Sequence, residues 1–220
     1  MKSVLSSALV AVLLAAGAPA QAQLRITEVS AWGSGNAPYA TDWFELTNTG
    51  SAPLNIGGWK MDDSSNGSAM VALSGITSIA PGESVIFTES AASASFLATW
   101  FGSQAPAGLQ IGNYSGAGVG LSTSGDAVNI FNAAGVLQAS VSFGTSDTVA
   151  PFQTFDNAAG LNNSAISTLA SVGTNGAFLS ADGQEIGSPG FITAVPEPQS
   201  YALLLAGMGL LGALARKRER

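Results

Sequence analysis

Leu24-Arg-Ile-Thr-Glu-Val29 and Asp42-Trp-Phe-Glu-Leu-Thr47 are the two stretches that decide the fold of this chain. The first alternates apolar and polar residues, which is the pattern of a half-buried β-strand. In the second, Trp43–Thr47 is another strand-like run, and a turn-forming cluster, Asn48-Thr-Gly-Ser-Ala-Pro53, follows it. The sequence therefore predicts a protein built from short strands separated by turns.

The same patterns recur along the rest of the chain. Further strands or short apolar pieces are predicted at Leu54–Ile56, Ala69–Leu73, Ser84–Thr88, Val119–Leu121, Ala127–Phe131 and Val136–Phe143. Asn132–Gly135 is predicted to be the hairpin turn between the last two. One helix is predicted over Ser93–Gly102, because its apolar residues fall at helical spacing and Gly102 stands where a C-cap would. About seven or eight short strands favour an all-β fold, an antiparallel β-sandwich.

Two tryptophans and two glycine-containing pairs are predicted to be structural. Trp43 and Trp59 are large apolar side chains suited to pinning one sheet on the other. Gly57-Gly58 suits a β-bulge or a close backbone approach beside Trp59, and Gly125-Asp126 suits a tight turn entering a strand. These residues are expected in the core and in turns rather than in a catalytic site.

The body of the chain, residues 23–195, is strongly acidic. It holds two basic residues, Arg25 and Lys60, against twelve acidic ones, which gives a net charge of −10. Such a surface repels phosphate backbones and anionic lipid head groups. Nucleic acid is therefore not an expected partner.

The sequence contains neither cysteine nor histidine. Without disulfides the stability of an exported protein has to come from a hydrophobic core, and about 170 residues suffice for one such domain. The lack of histidine removes the usual general base, the usual zinc ligand and the usual partner of a nucleophilic serine. No cofactor is predicted on this basis.

The N-terminus has the pattern of a secretory signal peptide. Lys2 precedes a mostly apolar run, Val4–Ala16, and Ala20-Gln-Ala22 then supplies the small residues of a cleavage site. Signal peptidase is predicted to cut between Ala22 and Gln23.

The C-terminal end has three parts. Val195-Pro196-Glu197-Pro198 is expected to be exposed and extended, because proline lacks an amide donor and restricts the residue before it. The uncharged run Tyr201–Ala215 predicts a single apolar helix of roughly 22 Å, marginal for a ~30 Å hydrocarbon core. The chain then carries the basic residues Arg216, Lys217, Arg218 and Arg220. By the positive-inside rule this cluster stays on the cytoplasmic side.

This order of Pro-Glu-Pro, apolar helix and basic end resembles the PEP-CTERM sorting signal of Gram-negative, exopolysaccharide-producing bacteria. The resemblance implies that an exosortase, a membrane protease-transpeptidase, acts near Pro196-Glu197-Pro198 and removes the helix. An ordinary C-terminal membrane anchor is the alternative. A plain anchor has no need of Pro-Glu-Pro at that offset, so the sorting interpretation is preferred.

Six short pieces of the body occur in a recognisable order, and they are Ile26-Thr-Glu-Val29, Asp42-Trp-Phe-Glu-Leu46, Asn48-Thr-Gly50, Leu54-Asn-Ile-Gly-Gly-Trp59, Ile79-Ala-Pro-Gly82 and Leu121-Ser-Thr-Ser-Gly-Asp126-Ala-Val128. Together with a late Gly187-Ser-Pro-Gly190, they resemble the bacterial form of the lamin-tail domain. The resemblance implies an immunoglobulin-like β-sandwich of the kind that serves secreted and surface proteins as an accessory or adhesive module. The Ala/Ser/Gly-rich stretch from Thr148 to Ile186 departs from it, and we expect the domain core not to need that stretch.

One loop has the spacing of a calcium site. Asp62, Ser64 and Asn66 stand at positions one, three and five, and Gly67 stands at position six, as in an EF-hand loop. Position twelve, where a bidentate glutamate belongs, is Leu73. An acidic turn is the default interpretation, and weak calcium binding is the alternative.

A carboxylate pair is the remaining candidate for catalysis. Asp42 and Glu45 lie near each other in the sequence, and glycoside hydrolysis needs only two acids at a defined separation. With twelve acids in the body, some pair is close by chance. A secreted hydrolase acting on polysaccharide is kept as the alternative function.

These features predict four parts: a signal peptide at 1–22, a lamin-tail-like β-sandwich at 23–145, an Ala/Ser/Gly-rich extension closing the domain at 146–194, and the sorting signal at 195–220. The predicted function is that of a non-enzymatic secreted or cell-surface protein, an adhesive or structural component of the extracellular polysaccharide matrix. Expected partners are signal peptidase, exosortase, the inner membrane through the C-terminal helix of an anchored intermediate, and exopolysaccharide.

Overall fold

The computed structural model describes residues 24–65, 67–116, 118–147, 149–157, 165–191 and 207–208. The predicted signal peptide, the Val195–Pro198 motif and the basic end lie outside these residues, and so does Asn66. The predicted apolar helix also lies outside them, except for Gly207 and Met208.

Short strands make up most of the regular secondary structure of the described chain. The strands are β1 Leu24–Ser30, β2 Trp43–Asn48, β3 Leu54–Asn55, β4 Lys60–Asp62, β5 Val71–Ala72, β6 Ser78–Ile79, β7 Ser84–Thr88, β8 Ile111–Asn113, β9 Asp126–Phe131, β10 Leu137–Phe143, β11 Phe152–Gln153, β12 Phe155–Asp156, β13 Ala165–Ile166, β14 Phe178–Leu179 and β15 Glu185–Gly187. The helices are α1 Gly33–Asn36 and α2 Ser93–Phe101.

Two five-stranded sheets form the sandwich. The first sheet has the order β12-β1-β2-β7-β8, and the second has the order β13-β10-β9-β4-β5. Neighbouring strands run antiparallel except at two edges, where β8 runs parallel to β7 and β13 runs parallel to β10. Two small sheets, β11-β15-β14 and β3-β6, lie beside them. The prediction of an all-β, immunoglobulin-like antiparallel sandwich is confirmed.

The main core lies between the two sheets. Alternate residues of each strand point into it, as the pleat of a strand dictates. The first sheet contributes Phe44, Leu46 and Phe87, and the second contributes Ile130 and Val141, all of them buried. Trp59 also lies in this core, in agreement with its predicted role.

A second apolar cluster covers the opposite face of the first sheet. Because Phe44 faces the main core, its neighbour Trp43 faces the other way, where it packs against α2. The Trp43 ring meets Phe96 and Trp100 edge-on, with centroids 5.4 and 5.7 Å away. The prediction that Trp43 pins one sheet on the other is therefore wrong.

The predicted helix and hairpin are both present. Phe96, Trp100 and Phe101 of α2 are buried, and the N–H of Gly102 donates to the carbonyl of Ala98 at 3.0 Å. In the hairpin after β9, the N–H of Gly135 donates to the carbonyl of Asn132 at 2.8 Å, with Gly135 at a φ of 77°. A positive φ of this size favours glycine.

One predicted strand is absent from its place. Val119–Leu121 forms no strand, although the side chains of Val119 and Leu121 are buried in the main core. A turn takes up the next residues, where the N–H of Gly125 donates to the carbonyl of Ser122 at 3.2 Å. Alternating burial arises here from a loop laid on the core, without a ladder of strand hydrogen bonds.

The described part of the Ala/Ser/Gly-rich stretch adds one strand to each of the two large sheets. β12 pairs with β1, bringing Phe155 opposite Val29, and β13 pairs with β10, bringing Ile166 opposite Phe143. Phe155 and Ile166 are both buried in the main core. The expectation that the core does not need residues 148–186 is therefore wrong, because strands of two residues leave no alternating pattern to detect.

Candidate functional site

The predicted calcium loop is held together by Asp62 at the end of β4. Its buried carboxylate accepts hydrogen bonds from the amides of Asp63, Gly67 and Ala69 and from the Ser65 hydroxyl, which lies 2.6 Å away. Burial opposes ionisation, but these hydrogen bonds outweigh it and hold the pKa of Asp62 below its usual range. The carboxylate therefore acts as the organiser of an acidic turn.

Ser64 is tied to a second carboxylate on β9. Its N–H donates to Asp126 Oδ1 at 2.9 Å, and Asp126 also accepts the amides of Ser122 and Ala127. Among the described residues, no group of three or more acidic residues is placed to hold a metal ion. Calcium binding stays a prediction, since Asn66 lies outside the described part of the chain.

We expect Asp62→Ala to lower the free energy of unfolding by about 1–3 kcal/mol, because four donors lose their acceptor. The measurement is urea unfolding with and without millimolar calcium. Asp63→Ala is the matched control, because in the described part of this turn the Asp63 carboxylate accepts a single amide, that of Ser65, and a loss of less than about 1 kcal/mol is expected. Equal losses in the two variants would contradict the role given to Asp62.

The structure gives Asp42 and Glu45 different partners. Asp42 accepts the amide of Ser34 at 2.9 Å and its hydroxyl at 3.4 Å, and burial raises the pKa of Asp42 to about 6. Glu45 instead accepts the hydroxyl of Thr27 and the amide of Gly190. Both carboxyls are buried. Neither side chain is therefore open to solvent in the described structure.

Sequence analysis missed a pair of buried glutamates on the outer face of the first sheet. A β-bulge in β1 between Ile26 and Glu28 shifts the register, so that Glu28 lies directly opposite Glu45 of β2. The hydroxyl of Thr27 reaches the same face and donates to Glu45. Both glutamates are fully buried.

Gly187–Gly190, which we name the closing segment, covers this pair. The N–H of Ser188 donates to Glu28 Oε1 at 2.8 Å, its hydroxyl lies 3.3 Å from Glu28 Oε2, and the N–H of Gly190 donates to Glu45 Oε2 at 2.7 Å. A Cβ at position 187 would lie 2.5 Å from Glu28 Oε1, so a larger residue there would have to displace the Glu28 carboxyl or the segment itself. The last part of the sandwich is thus hydrogen-bonded to its first two strands.

Burial shapes the electrostatics of this face. Burial, and to a smaller extent repulsion from Glu45, raises the pKa of Glu28 well above its usual range. Burial also raises the pKa of Glu45 to about 7, against the opposing hydrogen bonds from Thr27 and Gly190. Two carboxyls directly opposite each other in a buried site cannot both ionise without a large cost.

A third buried glutamate lies next to the closing segment. Tyr39 donates its hydroxyl proton to Glu185 Oε2 at 3.0 Å, and Trp43 donates its indole N–H to the Tyr39 hydroxyl at 3.1 Å. Burial raises the pKa of Glu185 to about 8. The Gly187-Ser-Pro-Gly190 motif was visible in the sequence, but nothing in the sequence identified partners about 150 residues away.

The sorting motif begins four residues after Phe191, the last described residue before it. No helix within the described ranges combines the length and the apolar character needed to cross a membrane.

Two family models match the chain. The Lamin Tail Domain model matches residues 17–145, more than half of the chain, and the PEP-CTERM protein-sorting motif model matches residues 194–218. No curated relative matches the chain.

Proposed function

The chain belongs to the lamin tail domain family and carries a PEP-CTERM protein-sorting motif, and from this premise we propose that it is a non-enzymatic adhesive or structural component of an extracellular polysaccharide matrix. Signal peptidase removes residues 1–22, the C-terminal helix holds an intermediate in the inner membrane, and exosortase cuts near Pro196-Glu197-Pro198. The mature sandwich then reaches the cell surface or the matrix.

The observation that carries the proposal is the position of the sorting motif directly behind a closed sandwich. The N–H of Gly190 donates a hydrogen bond to Glu45, and Pro196 follows Phe191 by five residues. Five residues span at most about 18 Å when fully extended. The folded module is therefore held close to the membrane while the tail is processed.

The use of the acidic residues supports a non-enzymatic role. The carboxylates of Glu28, Glu45 and Asp62 accept hydrogen bonds that hold the fold, and all three are buried. A hydrolase working through Asp42 and Glu45 would need both exposed to one substrate, which their burial disfavours.

We expect the protein recovered from the surface of native cells to lack residues 1–22 and the segment after about Pro198. Replacing Pro196, Glu197 and Pro198 together by alanine is expected to leave the tail in place and to keep the protein in the membrane fraction. Intact-mass analysis of surface, medium and membrane fractions is the measurement. The control replaces the neighbouring Gln199 and Ser200 by alanine.

Two results would contradict this proposal. A wild-type mass that retains the apolar run would make the protein a membrane-anchored sandwich. Unchanged processing in cells that lack exosortase would remove the sorting step. The matrix role is tested separately, by asking whether the processed protein sediments with purified exopolysaccharide and is released when the polysaccharide is digested.

A further inference from the structure

The closing segment is held by an unusual pair of hydrogen-bond acceptors, because two carboxyls that lie opposite each other repel one another when both are ionised. Glu28 and Glu45 face each other across β1 and β2, and both are shielded from water while the segment is docked. The closing segment supplies the amides of Ser188 and Gly190 as donors, and Thr154 and Thr27 supply hydroxyls from outside it. Docking of the closing segment therefore determines how far Glu28 and Glu45 are exposed to water.

The groups around the pair come from several elements. Asp156 on β12 lies opposite Glu28 in the strand register and accepts a hydrogen bond from the side-chain amide of Asn175. Arg25 lies on β1, and Glu185 on β15 is hydrogen-bonded to Tyr39. Further polar neighbours on this face include the hydroxyls of Thr27, Thr47, Ser84 and Thr154.

We propose that Gly187–Gly190 form a pH-responsive clasp, docked on the outer face of the first sheet while Glu28 or Glu45 is protonated and released when both become ionised. Release lets water reach both carboxylates and relieves their repulsion. The main core between the sheets stays closed, because Phe44 and Leu46 face away from the clasp. The clasp is local to one face of one sheet.

The direction of the effect follows from proton linkage. Burial raises the pKa of Glu45 from 4.5 to about 7 in the docked state, whereas a released carboxyl returns towards 4.5. The stability gained by docking is therefore complete below about pH 4.5 and is lost as the pH rises through about 7. The opening equilibrium constant of the clasp should rise on the order of 100-fold between pH 5 and pH 8.

Hydrogen exchange of the full chain in mild detergent tests this proposal, with rates corrected for the intrinsic pH dependence of exchange. The amides of Ser188 and Gly190 are expected to show the 100-fold rise, while the amides of β9 are expected to stay protected at both pH values. In the Glu28→Gln/Glu45→Gln double variant the rise should fall below about 10-fold, because Glu185 keeps its hydrogen bond to Tyr39 and its burial when the closing segment leaves. Glu83→Gln, which removes a carboxylate from the turn before β7, is the control and should keep the wild-type rise.

Three results would overturn the proposal. The first is an opening constant at Ser188 and Gly190 that does not change with pH in the wild-type chain. The second is an unchanged rise in the double variant or in Glu45→Gln alone. The third is equal exposure of β9 at pH 8, because the whole sandwich would then be opening. Gly187→Ala provides an independent variant, since its Cβ blocks docking and should open the segment at every pH.

Discussion

A chain that ends after Thr145, where the match to the lamin tail domain model ends, is expected not to fold cooperatively. The truncation removes β12 from the edge of the first sheet and β13 from the edge of the second. It also removes Phe155 and Ile166 from the main core, and each lost large side chain costs about 2–5 kcal/mol. Several such losses exceed the roughly 5–15 kcal/mol by which a domain is stable.

The truncation also exposes the outer face of the first sheet, where Glu28 and Glu45 lie. Without the closing segment, Glu28 loses the hydrogen bonds of Ser188, and Glu45 loses that of Gly190. The second cluster loses Phe178, whose ring lies 5.8 Å from that of Trp100. Both faces of the first sheet are therefore damaged by the same deletion.

Circular dichroism and urea unfolding test this expectation. The control is a chain that ends after Ala194, which loses only the sorting segment and should unfold in one sharp transition at the wild-type urea concentration. A sharp transition of similar slope in the chain ending at Thr145 would contradict the expectation, because the slope reports the surface exposed on unfolding. It would also show that the sandwich folds without residues 146–191.

Sequence patterns were sufficient for the strands and the helix that have a regular period. β1, β2 and β7 show alternation or continuous apolar character, and α2 shows apolar residues at helical spacing. Each of these elements is long enough for its period to be detected. The sandwich class followed from them, because several such strands with turns between them have few other ways to bury their apolar faces.

The strands that sequence patterns missed are short and pair with distant partners. β12 and β13 have two residues each, and a run of two residues has no period. Their partners, β1 and β10, are fixed by the closed fold and not by local sequence. Composition was misleading as well, because an Ala/Ser/Gly-rich stretch is typical of linkers and yet here it supplies strands.

The buried glutamate pair was hidden by a backbone irregularity. Simple alternation from Ile26 places Glu28 on the core side of β1 together with Ile26, where a glutamate would be implausible. The bulge between them turns Glu28 to the outer face and opposite Glu45. Bulges of this kind leave no reliable mark in a single sequence, so the pair and its contact with Ser188 could be found only in the folded chain.

The second large effect is expected at Trp43, where replacement by alanine should lower the free energy of unfolding by about 3–5 kcal/mol. The side chain is fully buried, meets Phe96 and Trp100 edge-on, and donates a hydrogen bond to Tyr39. Because all these contacts lie on the outer face, the loss should loosen α2 before it loosens the sandwich. Hydrogen exchange is expected to accelerate more in α2 than in β9.

Two variants separate this role from a contact between the sheets. Trp43→Phe keeps an apolar ring and loses only the indole donor and some packing, so a loss of about 1–2 kcal/mol is expected. Trp59→Ala removes a tryptophan from the main core and should accelerate exchange in β9 as much as in α2, because the whole sandwich then opens more often. If Trp43→Ala behaved like Trp59→Ala, α2 and the sandwich would form one cooperative unit. The outer cluster would then be as essential to sandwich closure as the core between the sheets.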